Sequence, residues 1–289
     1  MKIPQKKLMS GFSMPALGFG TWLIGGNNSR NPQNDDVAQI KAIKRAIDAG
    51  ITHIDTAEMY AEGFAEKIVA RAISDYDRES LFIVSKVWSD NLRYDDLINA
   101  AKKSLERLNT SYLDLYLIHM PNPEIPLEES VKAMDKLKQD GLIKNIGLSN
   151  FKKESFKKAQ NYSRNKIVAD QVHYNLIYRE PEADSLLKYC QENDVMLCAW
   201  RPIEKGLLTR QGIPVADNIC SKYTKTPAQI SINWLLSQKN VVTLAKMVNS
   251  GHLRENLGAI NFSMEENDVE MLRENFPGQK KVSAAVPLG

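Results

Sequence analysis

Four residues of this chain carry groups able to move a proton, and each stands at or just beyond the end of a short apolar run. Asp55 closes the run through His53 and Ile54, Lys86 closes Leu81-Phe-Ile-Val-Ser-Lys86, His119 closes Leu113-Asp-Leu-Tyr-Leu-Ile-His119, and Tyr60 follows Asp55 by one short turn. A buried ammonium needs a counter-charge, and a carboxylate on the adjacent strand supplies one. A cation beside a phenol lowers the phenol's pKa from its ordinary value of about 10. Lys86 is therefore expected to bring Tyr60 down toward the range of a general acid. An imidazole across from it would hydrogen-bond a carbonyl oxygen placed between the two. Taken singly, Asp55 with Lys86 also reads as a structural ion pair, and His119 as a satisfied core histidine. The case for chemistry is that all four arrive at one place.

Their spacing says that they do. Polar strand ends recur at Asp55, Lys86, His119 and Asn150, at intervals of about thirty residues, the length of one strand–helix–strand unit. Hydrophobic periodicity predicts strands at 16–22, 53–57, 81–87, 113–119, 143–149, 167–174, 195–200 and 241–247. Helices are predicted at 36–49, 63–74, 94–108, 127–139, 152–162, 182–193, 226–238, 251–258 and 264–275. Residues 7–13 read as a hairpin around Ser10-Gly11, 25–34 as a polar loop long enough to be mobile, and the stretch between 200 and 226 as a long loop.

Eight short apolar strands alternating with helices predict an α/β fold, a (β/α)8 TIM barrel with a short N-terminal hairpin and an extra C-terminal helix and tail. Residues 1–289 are expected to form a single domain. The alternative is an open doubly wound sheet; its dinucleotide fingerprint would need a third glycine, which Gly18-Phe-Gly20-Thr-Trp-Leu23 lacks. Barrels of this kind act at the C-terminal ends of their strands. Asp55, Lys86, His119, Ser149, Asn150, Gln171, Tyr174, Trp200 and Lys246 would then face one cavity.

Composition narrows the partners. The chain is 43% apolar and 25% charged with a formal charge of +3, which argues against a nucleic-acid or anionic-membrane surface. Cys190, Cys198 and Cys220 match no disulfide or zinc spacing, and no metal is implied by His53, His173 or His252. His53 and His173 read as core histidines. The N-terminal stretch has no apolar signal core and no run reaches membrane-span length, so a cytoplasmic monomer acting on a small molecule is expected.

The motifs carry a resemblance. Ala46-Ile-Asp-Ala-Gly50-Ile-Thr-His-Ile-Asp55-Thr-Ala-Glu-Met-Tyr60, Ser85-Lys86-Val-Trp88, Asp114-Leu-Tyr-Leu-Ile-His119-Met-Pro121, Gly147-Leu-Ser-Asn150 and Gln171-Val-His-Tyr-Asn175 together resemble the aldo-keto reductase family over nearly the whole length. The resemblance implies reduction of an aldehyde or ketone to an alcohol with NADP(H), NAD(H) being the alternative nucleotide. It casts Tyr60 as proton donor, Lys86 as the group that lowers its pKa, Asp55 as the partner of Lys86, and His119 as the orienter of the substrate carbonyl. Ser149, Asn150 and Gln171 would hold the nicotinamide carboxamide, and Trp200 would stack on its ring. Gly20, Thr21, Trp22 and Asp55 would complete that end of the cofactor site. Arg201, Pro202, Ile203, Lys205 and Leu207 would lie along the pyrophosphate. Lys246, Met247, Val248, Asn249, His252, Glu255 and Asn256 would border the adenosine phosphate. Trp22, Trp88 and Met120 would line the substrate pocket with Tyr60 and His119, bordered by the 25–34 loop and the tail from 276, whose Val282, Val286 and Leu288 need burial.

Three departures stand out. Ala61 replaces a glycine. Arg201-Pro-Ile-Glu204-Lys-Gly206 replaces Ser-Pro-Leu-Gly, and Glu204 would repel phosphates if it faced inward. Met247 and His252 replace a hydroxyl residue and an arginine that would read a 2′-phosphate; a histidine there implies a weaker contact that strengthens at acidic pH. Two other readings differ in their demands. A nucleotide-sensing regulatory barrel would keep the nucleotide and turn over slowly, whereas a Schiff-base aldolase would use Lys86 as nucleophile.

Overall fold

In the computed structural model, which describes residues 2–289, eight parallel strands close into a barrel. A hairpin of β1 (Gln5–Lys7) and β2 (Ser13–Pro15) precedes it. β3 (Leu17–Gly20), α1 (Asp36–Asp48), β4 (His53–Asp55), α2 (Phe64–Ile73), β5 (Phe82–Val87) and α3 (Tyr94–Leu108) form the first units. β6 (Leu115–Ile118), α4 (Leu127–Gln139), β7 (Ile146–Ser149), α5 (Lys153–Tyr162) and β8 (Ile167–His173) continue the alternation. After β8 come α6 (Glu180–Ala183), α7 (Leu186–Glu192) and β9 (Met196–Trp200), then α8 (Pro214–Tyr223), α9 (Pro227–Leu236) and β10 (Val241–Ala245). α10 (Ser250–Leu257) and α11 (Glu266–Asn275) end the helical ring. β10 pairs with both β9 and β3, which closes the cylinder.

Strand periodicity sorts the side chains into two cores. One lies between strands and helices. The other fills the barrel interior with Val84, Leu115, Leu117, Ala169, Met196, Cys198, Val242 and Leu244, and is plugged from below by Leu8 and Met14 of the hairpin. Going up each strand by twos from this apolar layer leads to Lys86, His119, Gln171 and Trp200. The interior is full enough to dictate small residues: a Cβ on Gly147 would stand 2.4 Å from a Leu117 methyl, and one on Gly18 would stand 2.5 Å from the His53 ring. Burial pushes the pKa of His53 down to about 4, as fits a neutral core imidazole. Cys190, Cys198 and Cys220 are free thiols, the first two buried.

Four features of the fold differ from the sequence expectations. The predicted helix 182–193 is two helices, α6 and α7, broken at Ser185 with φ 63°. Tertiary bonds win there: Asp184 accepts from the Lys153 N–H at 2.6 Å, and Glu182 is engaged by Arg179, Arg273 and Tyr174. α8 lies inside the predicted loop; it fully buries only Ala216 and Ile219, with Val215, Cys220 and Tyr223 half-buried beside them, and Pro214 at its first turn was the available start signal. The 25–34 loop is tied down rather than loose. Arg30 makes paired bonds of 2.8 Å to Asp36 and a third to the Gly25 carbonyl, while Asn34 and Gln39 exchange amide bonds. In the tail, Val282 stays 59% exposed, whereas Leu288 packs on the core. Among the described residues no helix is long and apolar enough to cross a membrane.

Candidate active site

The turn that presents Tyr60 is tightly constrained backbone near the barrel mouth. Ala61, Glu62 and Gly63 have φ of 50°, 56° and 82°. A left-handed L-residue costs about 1–2 kcal/mol, so alanine at 61 is a strained choice. The surroundings hold it: the Ala61 and Glu62 N–H groups donate to the Asn27 and Asn28 carbonyls at 2.8 and 3.1 Å. Gly63 is a steric requirement, since a Cβ would fall 2.6 Å from Arg107 Nε. That guanidinium is itself bound 2.5 Å from the buried Glu66, whose other oxygen accepts from Ser85 at 2.5 Å. Glu58 accepts from the Trp88 N–H at 2.6 Å and from Asn91 at 3.0 Å. Glu58, Glu66, Ser85 and Arg107 thus clamp the Tyr60 turn to β5, and sequence reasoning missed them. The available signal was Glu66, an acid set among the apolar positions Ala65, Ile68, Val69 and Ala72.

Lys86 is fully buried and each of its three N–H groups has a partner. Its Nζ lies 2.6 Å from Asp55 Oδ1, 2.8 Å from the Thr56 carbonyl and 3.3 Å from the Tyr60 hydroxyl. The second Asp55 oxygen accepts from Gln171 Nε2 at 2.8 Å. Burial acts to lower the Lys86 pKa, but Asp55 and Tyr60 outweigh it and hold the ammonium above its ordinary value. A Schiff-base nucleophile needs a free amine lone pair, so the aldolase reading finds no support here.

The Tyr60 phenol departs from expectation. Burial raises its pKa by more than the Lys86 cation lowers it, and Asp55 adds to the rise, so the net shift is upward. Lys86 moderates a phenol that burial would otherwise make a still weaker acid. Tyr60 therefore holds its proton through neutral pH. His119 is pulled well below the ordinary histidine value by burial and by the nearby Lys86 charge, and is neutral. Its ring stands edge-on to Tyr60 with centroids 5.6 Å apart; Trp22 meets Tyr60 at 5.0 Å and Trp88 meets His119 at 5.3 Å. Met120 follows His119, half-buried. A neutral donor and a protonated phenol thus share an aromatic-walled mouth.

Further hydrogen bonds tie the neighbouring strand ends to this group. Ser149 donates to the Gln171 carbonyl at 2.7 Å; Asn150 donates to the His119 carbonyl and to Ser149 Oγ at 3.0 Å each, and accepts from Trp200 Nε1 at 3.3 Å. Thr21 is fully buried with its hydroxyl on the Asp55 carbonyl at 2.9 Å, one residue beyond Gly20. Tyr174 does not face the mouth: it is buried on the helix side, bonded to Glu182 and Gln238 and set against Trp234.

At the ends of β9 and β10 the picture is mixed. Arg201 is half-buried with its guanidinium 5.1 Å from the Trp200 ring. Pro202 is buried, Ile203 half-buried, and Lys205 and Leu207 exposed. Glu204 does turn inward but is captured, 2.6 Å from His173. Lys246, Asn249 and His252 are exposed, and Asn249 caps α10 by accepting from Gly251 and His252. The Met247 side chain is fully buried in the outer core, so any nucleotide contact there is through its backbone. Val248 is half-buried, with its carbonyl accepting from Arg45 at 2.9 Å. Glu255 accepts from Thr226 at 2.9 Å, and among the described residues the buried Asn256 Nδ2 has no hydrogen-bond partner. Among the described residues no cluster of His, Cys, Asp or Glu could hold a metal ion.

Comparison with known proteins agrees with this architecture. The model of the Aldo/keto reductase family matches residues 16–275. The chain is 34% identical over 276 residues to methylglyoxal reductase YeaE of Escherichia coli (strain K12), with 94% of each chain covered. It is 32% identical over 268 residues to glyoxal reductase of Bacillus subtilis (strain 168), covering 92% of this chain and 90% of that one. Among solved structures, the thermostable aldo-keto reductase Tm1743 in complex with the inhibitor epalrestat matches with a TM-score of 0.90 and 44% identity, over 94% of this chain and 99% of that one. An aldo-keto reductase from Klebsiella pneumoniae in complex with NADPH matches with a TM-score of 0.84 and 31% identity, over 98% of each.

Proposed function

The chain belongs to the aldo/keto reductase family, and from that premise we propose that it reduces a small aldehyde or ketone to an alcohol with NADP(H). The observation that carries the reading is the Lys86 ammonium shared between Asp55 at 2.6 Å and the Tyr60 hydroxyl at 3.3 Å, beside a neutral His119. When bound, the dihydronicotinamide supplies the hydride. Ser149, Asn150 and Gln171 are the residues to hold its amide, and Trp200 the one to stack on its ring. Lys246, His252, Glu255 and Asn256 are the side chains for the adenosine phosphate end.

At the reacting carbonyl, His119 donates a hydrogen bond to the oxygen and fixes its direction. Tyr60 donates its proton to the same oxygen as negative charge develops there. Lys86 stabilises the phenolate that remains, and Asp55 with the Thr56 carbonyl keeps Lys86 in place. Because Tyr60 is protonated and His119 neutral at neutral pH, both groups stand in the form that reduction needs. The relatives named for methylglyoxal and glyoxal reduction favour small dicarbonyl compounds as the first substrates to test. The reading has a single barrel, as a monomer in the cytoplasm, act on such a molecule.

Nucleotide choice rests on 246–252. His252→Arg restores a fixed cation where a 2′-phosphate would sit. It is expected to tighten NADPH binding by about tenfold, the worth of one charge-assisted bond, and to leave NADH binding unchanged. Fluorescence titration of both nucleotides, followed by nucleotide oxidation with methylglyoxal, glyoxal and simple ketones, checks this. Failure of the wild type to bind either nucleotide would remove the proposal.

A further inference from the structure

Residues 201–206, just beyond β9, are held by a residue with no part in the proton chemistry. His173 ends β8 on the inward face and is the register partner of Trp200 on β9. Its ring lies flat against the indole, centroids 4.3 Å apart and planes 8° from parallel, and Tyr178 stacks on it at 4.4 Å. Both ring nitrogens are engaged. Nε2 is 2.6 Å from Glu204 Oε2, and Nδ1 is 2.7 Å from Ser283 Oγ. Ser283 Oγ already accepts from the Ala285 and Val286 N–H groups at 3.1 Å each, so its own proton turns to Nδ1. That leaves Nε2–H to donate to the Glu204 carboxylate.

One buried imidazole, 2% exposed, therefore joins two segments remote from it in sequence: the end of β9 at Trp200 with the 201–209 loop that continues it, and the C-terminal tail. Asn175 reinforces the loop, donating to Glu204 Oε2 and to the Arg201 carbonyl at 2.9 Å each. Glu180 reinforces the tail, accepting from the Ser283 N–H at 2.7 Å. The loop needs such holding, because Arg201, Glu204 and Lys205 all have left-handed backbones, φ 58°, 40° and 52°. A carboxylate in a loop expected over a pyrophosphate would repel it. Here the carboxylate is spent on His173 and Asn175, and its inward turn becomes an anchor.

We propose that His173 is a positioning residue for nucleotide binding, which backs Trp200 and, through Glu204 and Ser283, sets the register of the 201–209 loop and the tail. This rests on the reading above that Trp200 and the loop receive a nicotinamide nucleotide. The anchor and repulsion views of Glu204 predict opposite signs, which makes the test direct. NADPH affinity is measured by quenching of protein fluorescence, without turnover, in wild type, Glu204→Ala, Glu204→Gln, His173→Phe and the His173→Phe/Glu204→Ala double variant.

The expected result is about tenfold weaker binding for Glu204→Ala and for His173→Phe, with the double variant no weaker than either single one. Glu204→Gln, which still accepts from Nε2–H, stays within about threefold of wild type, and kcat at saturating NADPH changes little in any of them. Tighter or unchanged binding by Glu204→Ala overturns the inference, as does additivity in the double variant. Should His173→Phe fail to fold, the sign for Glu204→Ala and the rescue by Glu204→Gln still decide. A wild type that binds no NADPH removes the proposed function, and this inference with it; a wild type that binds while the variants bind equally well removes the inference alone.

Discussion

Tyr60→Phe is expected to lower carbonyl-reduction turnover by about a hundredfold or more, the range for losing a positioned general acid. The substitution removes one oxygen and leaves the ring, whose contacts with Trp22 and His119 at 5.0 and 5.6 Å are aromatic. Nucleotide affinity and the folded state should therefore change little, so the loss falls on kcat. The pH profile of the wild type belongs to the same prediction. Tyr60's pKa is raised, chiefly by burial, so its proton-donating form persists below that pKa and is lost only as pH rises through it, above about 10. His119's pKa is lowered by burial and by Lys86, so no limb near the ordinary histidine value of about 6.5 is expected from it. Turnover measured across neutral pH should be flat, and an intact rate in Tyr60→Phe would show that another group gives the proton.

The second large effect is on Lys86. Lys86→Met leaves Asp55, 2% exposed, with a buried charge answered, among the described residues, by the Gln171 amide at 2.8 Å alone. Breaking a buried pair in this way is expected to destabilise the fold by about 3–5 kcal/mol, read from urea unfolding. It also removes the cation that moderates the Tyr60 phenol, so turnover should fall by about a hundredfold in the protein that remains folded. Stability and chemistry separate in Lys86→Met/Asp55→Leu. The double variant no longer buries an unpaired charge and should recover most of the stability but none of the turnover. Recovery of both would mean that the pair serves the fold alone.

Much of this site was legible because a parallel barrel is periodic. Apolar runs about thirty residues apart put Asp55, Lys86 and His119 at strand ends, and alternation along each strand put them on the inward face above Val84, Leu115 and Leu117. What stayed hidden depends on distances between segments that no local pattern encodes. The net upward shift of Tyr60 is a balance between burial and the Lys86 charge, and burial is a property of the closed mouth. The clamp of Arg107, Glu66 and Glu58 behind the Tyr60 turn joins α3, α2 and the loop after β4. His173 read as a core histidine, which it is by exposure; its bonds to Glu204 and Ser283 appear only when the loop and the tail are laid over it. α8 and the break at Ser185 were missed for a simpler reason: α8 buries few apolar residues, and the helix expected over 182–193 gives way to tertiary bonds at Glu182 and Asp184.

The central claim is that this ring of strand-end residues delivers a hydride from a nicotinamide and a proton from Tyr60 to one carbonyl group. It is tested most directly by incubating the wild-type protein with methylglyoxal and NADPH deuterated at the transferable nicotinamide position, and analysing the product by mass spectrometry. The account predicts an alcohol carrying deuterium on the former carbonyl carbon, with the hydroxyl proton drawn from solvent, and next to none of it from Tyr60→Phe over the same time. An alcohol product without deuterium at that carbon would contradict it.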